Sequence, residues 1–336
     1  MRKFFQYYNS IKQIILLPFM KTTSPLQHIN HPLFTQYSVK VSIKRDDLIH
    51  PIISGNKWRK LSHNLSFAQN KNYQGILSFG GCYSNHIHAL AYACQLHQLK
   101  SIGIIRGESA SQSNATLSWA KHWGMELVFV DRKTYRQRND ESFLTELQQQ
   151  YPNYFIVPEG GSNQQALTGV GETIKELNQQ CVFDSLLVPI GSGGTIAGLV
   201  QQDNNQHHIL GIAVLKQSAK QKDYLFNEVN ALLDEPEKHH QWKIANDFHC
   251  GGYAKFSNED AANILQFSQE TGIPFDPIYS GKMLLGFIQL LKQGYFNAGQ
   301  HIVLLHTGGL QGIAGLIEQG KLNGQIWPTP PVPPAD

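Results

Sequence analysis

The chain has 336 residues, 41% of them hydrophobic and 16% charged, and its 28 basic and 25 acidic residues leave a formal net charge of +3. That balance suits a globular protein and excludes global disorder, while the length exceeds the roughly 100 to 200 residues of one domain, so two domains are expected. The basic residues are spread along the chain, without the stripe needed to neutralise several phosphates, which argues against a nucleic-acid partner.

The opening MRKFFQYYNSIKQIILLPFMKTT is basic and aromatic, but its apolar run at 14–19 is far shorter than the roughly 20 residues of a membrane span. It has the charged start and apolar middle of a weak signal peptide without a small-residue cleavage site. A start at Met20 is the bland alternative, making 1–19 an N-terminal extension. From residue 38 the pattern alternates. Val39 to Lys44 reads as a strand, Trp58 to Gln69 as a helix, GILSFGG (75–81) as a strand, and 84–97 as a helix with Ser84 or Asn85 as its N-cap. SIGIIRG is the next strand, Asn114 to Trp123 a helix and ELVFV a strand. After a polar stretch at 131–150 come YFIVPEGG (strand, then loop), ALTGVGETIKELNQQ (helix) and SLLVPIGSGGTIAGLVQQ (strand, glycine loop, helix). Further strands are expected at His208 to Val214 and His301 to His306, a helix at Asn258 to Glu270, and a Pro-rich tail at 327–336 outside the fold.

Repeated strand–helix alternation predicts an α/β fold of mainly parallel, twisted sheets flanked by helices, because parallel neighbours need crossover connections. The four cysteines, Cys82, Cys94, Cys181 and Cys250, are far apart and form no C-x-x-C pair, so reduced thiols and a cytoplasmic protein are expected.

The segment with the clearest chemical content is VPIGSGGTIAGL (188–199). A strand runs into Gly191, Ser192, Gly193, Gly194 and Thr195 and then directly into a helix, a construction that offers free backbone N–H groups and a positive dipole end to an anion. It is neither a P-loop nor the G-x-G-x-x-G dinucleotide fingerprint, and a tight turn that binds nothing remains the alternative. A phosphate cradle without nucleotide motifs suggests pyridoxal phosphate, whose aldehyde needs a lysine amine. Lys57, in SGNKWRK, is the candidate; alone, it would be assigned to solvent.

KRDDLIHPIISGNKWRKL (44–61), SFGGCYSNH (78–86), PEGGSNQQALTGVGE (158–172), GSGGTIAGL (191–199), DPIYSGKMLLG (276–286) and LHTGGLQG (305–312) together resemble the D-cysteine desulfhydrase and 1-aminocyclopropane-1-carboxylate deaminase family. The resemblance covers most of residues 38–320. It implies a fold like the tryptophan synthase β-subunit (fold type II of these enzymes), pyridoxal 5'-phosphate as cofactor, a small amino-acid substrate and a homodimer. Lys57 matches the Schiff-base lysine, Asn85 the asparagine beside the cofactor's phenolic oxygen, and Gly191 to Thr195 the phosphate binder. Ser84 matches a serine near the substrate, placed to contact its carboxylate or relay a proton. Tyr279 matches an active-site tyrosine, with Tyr253 as the second, and Thr307 matches the residue next to the pyridine nitrogen. Tyr83 stands where the family often has glutamine, and Ser280 and Thr307 stand where the deaminases resemble each other in having glutamate and leucine; desulfhydrases carry hydroxyls there. Tyr83 and Ser280 are thus expected beside the substrate. A neutral hydroxyl near the ring nitrogen leaves it largely unprotonated and a weaker electron sink, which suits β-elimination better than cyclopropane opening. The resemblance also implies a larger cofactor-binding domain from 20–61 and 161–326, with 62–160 inserted as a smaller one and the active site in the cleft between them.

Rival readings rest on other residues. Ser84 with His86 suggests a hydrolase, but G-x-S-x-G is absent and residues two apart on a helix do not face each other. The histidine pairs 86/88, 207/208 and 239/240 lack metal-site spacing. Asp46 and Asp47, beside Arg45, are read as orienting the loop before Lys57, and Arg59 and Lys60 as surface or neighbouring-loop charges. A non-catalytic relative of the fold is disfavoured by the joint presence of Lys57, Ser84, Asn85, the glycine loop, Tyr279 and Thr307.

Overall fold

The computed structural model describes residues 23–217 and 223–328; the expectations for 1–19 and for the tail beyond 328 lie outside them. The chain opens with β1 (Leu26–His28), α1 (Pro32–Gln36) and β2 (Lys40–Lys44), followed by α2 (Asn56–Asn70), which carries Lys57. Next come β3 (Gly75–Gly81), α3 (Asn85–Leu96), β4 (Lys100–Arg106), α4 (Ala115–His122), β5 (Glu126–Val130), α5 (Arg132–Arg136), α6 (Glu141–Gln150) and β6 (Tyr154–Val157). The remainder is α7 (Gln164–Gln180), β7 (Ser185–Ile190), α8 (Gly194–Asp203), β8 (His208–Ala213), α9 (Tyr224–Asn230), β9 (Trp242–Ala245), α10 (Asn258–Thr271), α11 (Ser280–Lys292), β10 (His301–Leu305) and α12 (Gly312–Glu318).

Two sheets result. One has the order β1-β2-β10-β7-β8-β9 and the other β5-β4-β3-β6. Every pairing is parallel except β1 with β2, as crossover helices require. The central strand β7 is buried at all six positions, which is why SLLVPI reads as a continuous apolar run. No helix among the described residues is long and apolar enough to cross a membrane.

Several elements escaped the sequence reading. The polar stretch 131–150 forms α5 and α6; the Asp131 side chain caps α5 by accepting from Lys133 N and Thr134 N. SGKMLLGFIQLLK forms α11, whose buried Met283, Leu284, Phe287 and Leu291 recur at helical spacing. The short edge strands β1 and β9 are defined by their neighbours, not by their own composition.

α2 ties the two sheets together. Its apolar residues Trp58, Leu61, Leu65 and Ala68 join Ile76, Leu90 and Trp123 in the core of the four-stranded sheet, so the expected division at 61/62 falls inside this helix. Its other side carries Arg59, which is buried and not a surface charge. Arg59 Nε and Nη2 donate to the two Asp46 oxygens at 2.6 and 2.7 Å, and Nη1 and Nη2 donate to Glu176 of α7 at 2.8 and 2.9 Å. Lys44 Nζ, at the end of β2, completes the cluster at 2.5 Å from Glu176 Oε2, and Ser24 Oγ donates to Asp46 at 2.6 Å. Asp47 takes the Arg45 guanidinium at 2.8 and 2.7 Å, so both aspartates do anchor the loop before Lys57.

Burial alone would push the Glu176 carboxyl up, but the hydrogen bonds and charges of Arg59 and Lys44 outweigh it and hold it below the ordinary range. Its stabilising contribution is therefore present at neutral pH and lost only as pH falls through that depressed value. Glu176→Ala leaves Arg59 and Lys44 with an uncompensated buried charge and should cost about 3–5 kcal/mol in urea denaturation at neutral pH. A loss below about 1 kcal/mol, the range of an exposed pair, would contradict this account of the cluster.

Candidate active site

The C-terminal ends of β3, β4 and β6 from one sheet and of β7, β8 and β10 from the other lead into one cavity of about 630 Å³, the end of a parallel sheet at which ligands bind. The cavity is lined by Lys57, Ser84, Asn85, Gly191, Ser192, Gly193, Thr195, Tyr253, Tyr279 and Thr307 among others, so residues up to 250 positions apart in the chain, Lys57 and Thr307, share one wall.

Lys57 is the second residue of α2. The preceding Gly55 has φ +69°, and a Cβ there would lie 1.9 Å from the Thr307 carbonyl oxygen, so only glycine lets the helix start against the 307–309 turn. Lys57 Nζ donates to Asn56 Oδ1 at 3.0 Å, and Asn56 Nδ2 donates to Thr195 Oγ1 at 2.7 Å, which links the amine to the glycine loop. Burial pushes Lys57 down to about 8, opposed by the Asp276 carboxylate.

Lys60, expected as a surface or neighbouring-loop charge, is 1% exposed and enters the site from the same helix face. Its Nζ donates to Gly160 O at 3.2 Å and Ser162 Oγ at 3.0 Å, with no carboxylate partner among the described residues. Burial, and then the Lys57 ammonium, push it well below its ordinary value. A Cβ on Gly194 would fall 3.0 Å from Lys60 Nζ and 2.4 Å from Ser162 Oγ, so the amine lies against the first turn of α8. That turn has unsatisfied N–H groups and a positive dipole end. A buried ammonium with only neutral acceptors, beside a helix N-terminus, is the complement of a phosphate dianion; elsewhere on the cavity wall, against Gly312, Asn85 Oδ1 is buried without a partner among the described residues. These residues fit pyridoxal phosphate. The sequence signal for Lys60 was its i+3 spacing from Lys57, which puts both amines on one face.

Ser84 caps α3: its Oγ accepts from Ile87 N at 3.3 Å, leaving its own proton free to donate. His86 is turned away from it onto Ser78 Oγ at 2.8 Å, and burial, with Lys57 and Lys60 nearby, pushes its imidazole down to about 3. There is no serine–histidine pair of a hydrolase here. Among the described residues there is also no group of three His, Cys, Asp or Glu side chains that could hold a metal ion.

Tyr279 stands against Gly191, and its ring lies 6.1 Å from that of Tyr253 at 68°. Burial, reinforced by Tyr253, keeps its phenol protonated well above the ordinary value. Lys282, the third residue of α11, fixes the turn before Tyr253 by donating to His249 O at 2.9 Å and Gly252 O at 2.6 Å.

One expectation needs correction. Ser280 does not line the cavity: it is fully buried, and its Oγ donates to Asp276 Oδ2 at 2.5 Å. Asp276 caps α11, accepting from Ile278 N, Tyr279 N and Ser280 N at 2.8, 2.7 and 3.0 Å, so the start of the helix turns Ser280 inward. Tyr83 lines the cavity, and its ring rests on α12, where a Cβ on Gly315 would be 2.3 Å from Cδ1. Burial raises its phenol, as does the charge of Glu318 at the end of that helix.

A model of the family described as "Pyridoxal-phosphate dependent enzyme" matches residues 21–308. The chain is 29% identical over 303 residues to a Thermotoga maritima protein provisionally named a 1-aminocyclopropane-1-carboxylate deaminase, covering 86% of this chain and 95% of the relative. It is 27% identical over 334 residues to the Arabidopsis thaliana "Bifunctional D-cysteine desulfhydrase/1-aminocyclopropane-1-carboxylate deaminase, mitochondrial", covering 90% and 82%. Among solved structures, one described as an "ACC deaminase homologue" superposes with a TM-score of 0.74 at 26% identity, covering 95% of this chain and 98% of the other.

If burial sets the reactivity of Lys57, its capture by an aromatic aldehyde, trapped with borohydride and located by mass spectrometry, should rise about tenfold per pH unit and level off above about 8. A rate still climbing towards 10.5 would mark an ordinary solvated lysine.

Proposed function

The chain belongs to the pyridoxal-phosphate-dependent enzymes, and on that premise we propose that it deaminates a small amino acid by β-elimination, with D-cysteine, yielding pyruvate, ammonia and sulfide, as the first substrate to test. The observation that carries this reading is Thr307. Thr307 lines the cavity, while the nearby carboxylate, Asp276, is engaged by the amides and the Ser280 hydroxyl of its own turn. Ring opening of 1-aminocyclopropane-1-carboxylate to 2-oxobutyrate and ammonia is the second reading, favoured by the names of the relatives.

Pyridoxal phosphate, when bound, supplies an aldehyde that condenses with amines and an electron-withdrawing ring that makes the substrate's Cα–H acidic. Lys60, Ser162 and the Gly191 to Thr195 loop would hold its phosphate, and Asn85 and Thr307 would contact its ring. The Lys57 amine is a base matched to neutral pH and takes the Cα proton, with Asn56 orienting Nζ. Ser84 Oγ and the N-terminal amides of α3 bind the substrate carboxylate. Tyr279, protonated and flanked by Tyr253, donates towards the departing β-substituent. In the same reading, 62–160 closes as a smaller body on the larger one from 20–61 and 161–326, and the enzyme is a homodimer, a state that sedimentation velocity tests.

Holoenzyme incubated with D- and L-cysteine, β-chloroalanine, D-serine and 1-aminocyclopropane-1-carboxylate should give pyruvate and sulfide from cysteine faster than 2-oxobutyrate from the cyclopropane; the opposite ranking refutes the first reading. Lys57→Ala should lower turnover by roughly 10²- to 10⁴-fold and abolish the borohydride-fixed absorbance. Lys60→Ala should leave that lysine link possible but weaken cofactor affinity about 10- to 100-fold, the loss expected for one charged hydrogen-bonding group.

A further inference from the structure

Arg106 belongs to none of the roles above. It is the last residue of β4, paired with Gly81 at the end of β3, and a Cβ on Gly81 would lie 3.5 Å from Arg106 Nη2. The guanidinium therefore lies beside the strand end that leads into Cys82, Tyr83 and Ser84, and it lines the cavity.

Two arginines flank the Tyr135 ring, Arg106 at 5.4 Å and Arg138 at 5.1 Å from its centroid. They differ in their charge partners. Arg138 Nε donates to Glu159 Oε2 at 2.6 Å, and the Tyr135 hydroxyl takes the other Glu159 oxygen at 2.8 Å, so that carboxylate is fully engaged. Arg106 has no ion pair and no side-chain hydrogen bond among the described residues beyond its contact with the ring. The remaining carboxylate of the cavity wall, Glu228, lies by Tyr224, whose phenol is raised by burial and then by that charge. Burial raises the Tyr253 phenol; the Tyr279 hydrogen bond and, less strongly, the Arg106 charge act against it. Arg106 is exposed at the cavity, and the two carboxylates of that wall, Glu159 and Glu228, make no ion pair with it among the described residues, so its guanidinium is open to bidentate contact with an anion. The cofactor phosphate and the substrate carboxylate already have partners in Lys60, the glycine loop and Ser84.

We propose that Arg106 recognises an anionic β-substituent, so that the preferred substrates are amino acids whose leaving group carries negative charge, such as a phosphate ester. This rests on the β-elimination reading and narrows its substrate class. In the elimination the Cα proton passes to Lys57, the Cβ–O bond breaks with both electrons leaving on oxygen, and phosphate departs beside Arg106. The released 2-aminoacrylate tautomerises and takes up one water, so O-phosphoserine and water become pyruvate, ammonia and phosphate.

The test compares O-phosphoserine with O-acetylserine, both enantiomers of each, in wild-type and Arg106→Gln holoenzyme, reading pyruvate and the cofactor absorbance. The ratio of kcat/KM for the phosphate over the acetate ester should fall about tenfold or more in the variant, mainly through KM, with the absorbance retained. A ratio unchanged within about twofold overturns the proposal. Should the variant not fold, the wild-type ratio serves: it should fall as salt rises, and a salt-independent ratio overturns the proposal equally. Pyruvate from O-acetylserine or D-cysteine but none from O-phosphoserine defeats this inference alone. No product from any β-substituted amino acid in a cofactor-loaded enzyme defeats the reading on which it rests.

Discussion

The buried cluster of Lys44, Asp46, Arg59 and Glu176 is the constraint on which the site depends. It joins the end of β2, the loop before α2, the first turn of α2 and the middle of α7 through hydrogen bonds of 2.5 to 2.9 Å. Each ion loses several kcal/mol of hydration on burial, so such a cluster is a poor source of net stability compared with an apolar core. What it supplies is position: two carboxylates and two cations satisfy one another in one arrangement, and that arrangement sets where α2 begins. Lys57 lies two residues before Arg59, so its amine inherits that placement.

From there the electrostatics divide between two lysines on one helix. Both are desolvated, and the responses differ because their neighbours differ. Lys57 faces the Asp276 carboxylate, which offsets part of the burial cost and leaves it near 8, reactive at neutral pH. Lys60 faces only a carbonyl, a serine hydroxyl and another cation, so its charge is supported only when an anion arrives. The first turn of α8 points its free N–H groups at the same place. Lysine and helix thus form an anion site in two halves, from sequence segments more than 130 positions apart.

The opposite wall depends on α11. Asp276 caps the helix and turns Ser280 inward; within the same first turn Lys282 pins the loop that presents Tyr253, and Tyr279 itself precedes that turn. One helix start thereby sets the tyrosine pair, the hydroxyl behind the site and the carboxylate that acts on Lys57. The distal wall carries the opposite asymmetry, with Arg138 neutralised by Glu159 and Arg106 left facing the cavity.

The sequence by itself determined the α/β alternation, the glycine loop and the resemblance that made Lys57 more than a solvated cation, because strand and helix periodicity and glycine-rich turns are local properties. It could not reveal α5 and α6, whose polar composition hides helices held by caps and neighbours, nor the edge strands that exist only through pairing. Only the tertiary structure decided which charges are buried. Arg59 and Lys60 look like solvent-facing neighbours of Lys57 until Asp46, Glu176 and Ser162 arrive from elsewhere in the chain. Ser280 looks like a substrate contact until Asp276 claims its hydroxyl. Burial and partner choice are set by distant segments meeting, and the direction of a side chain, unlike its chemistry, is not a property of the residue alone.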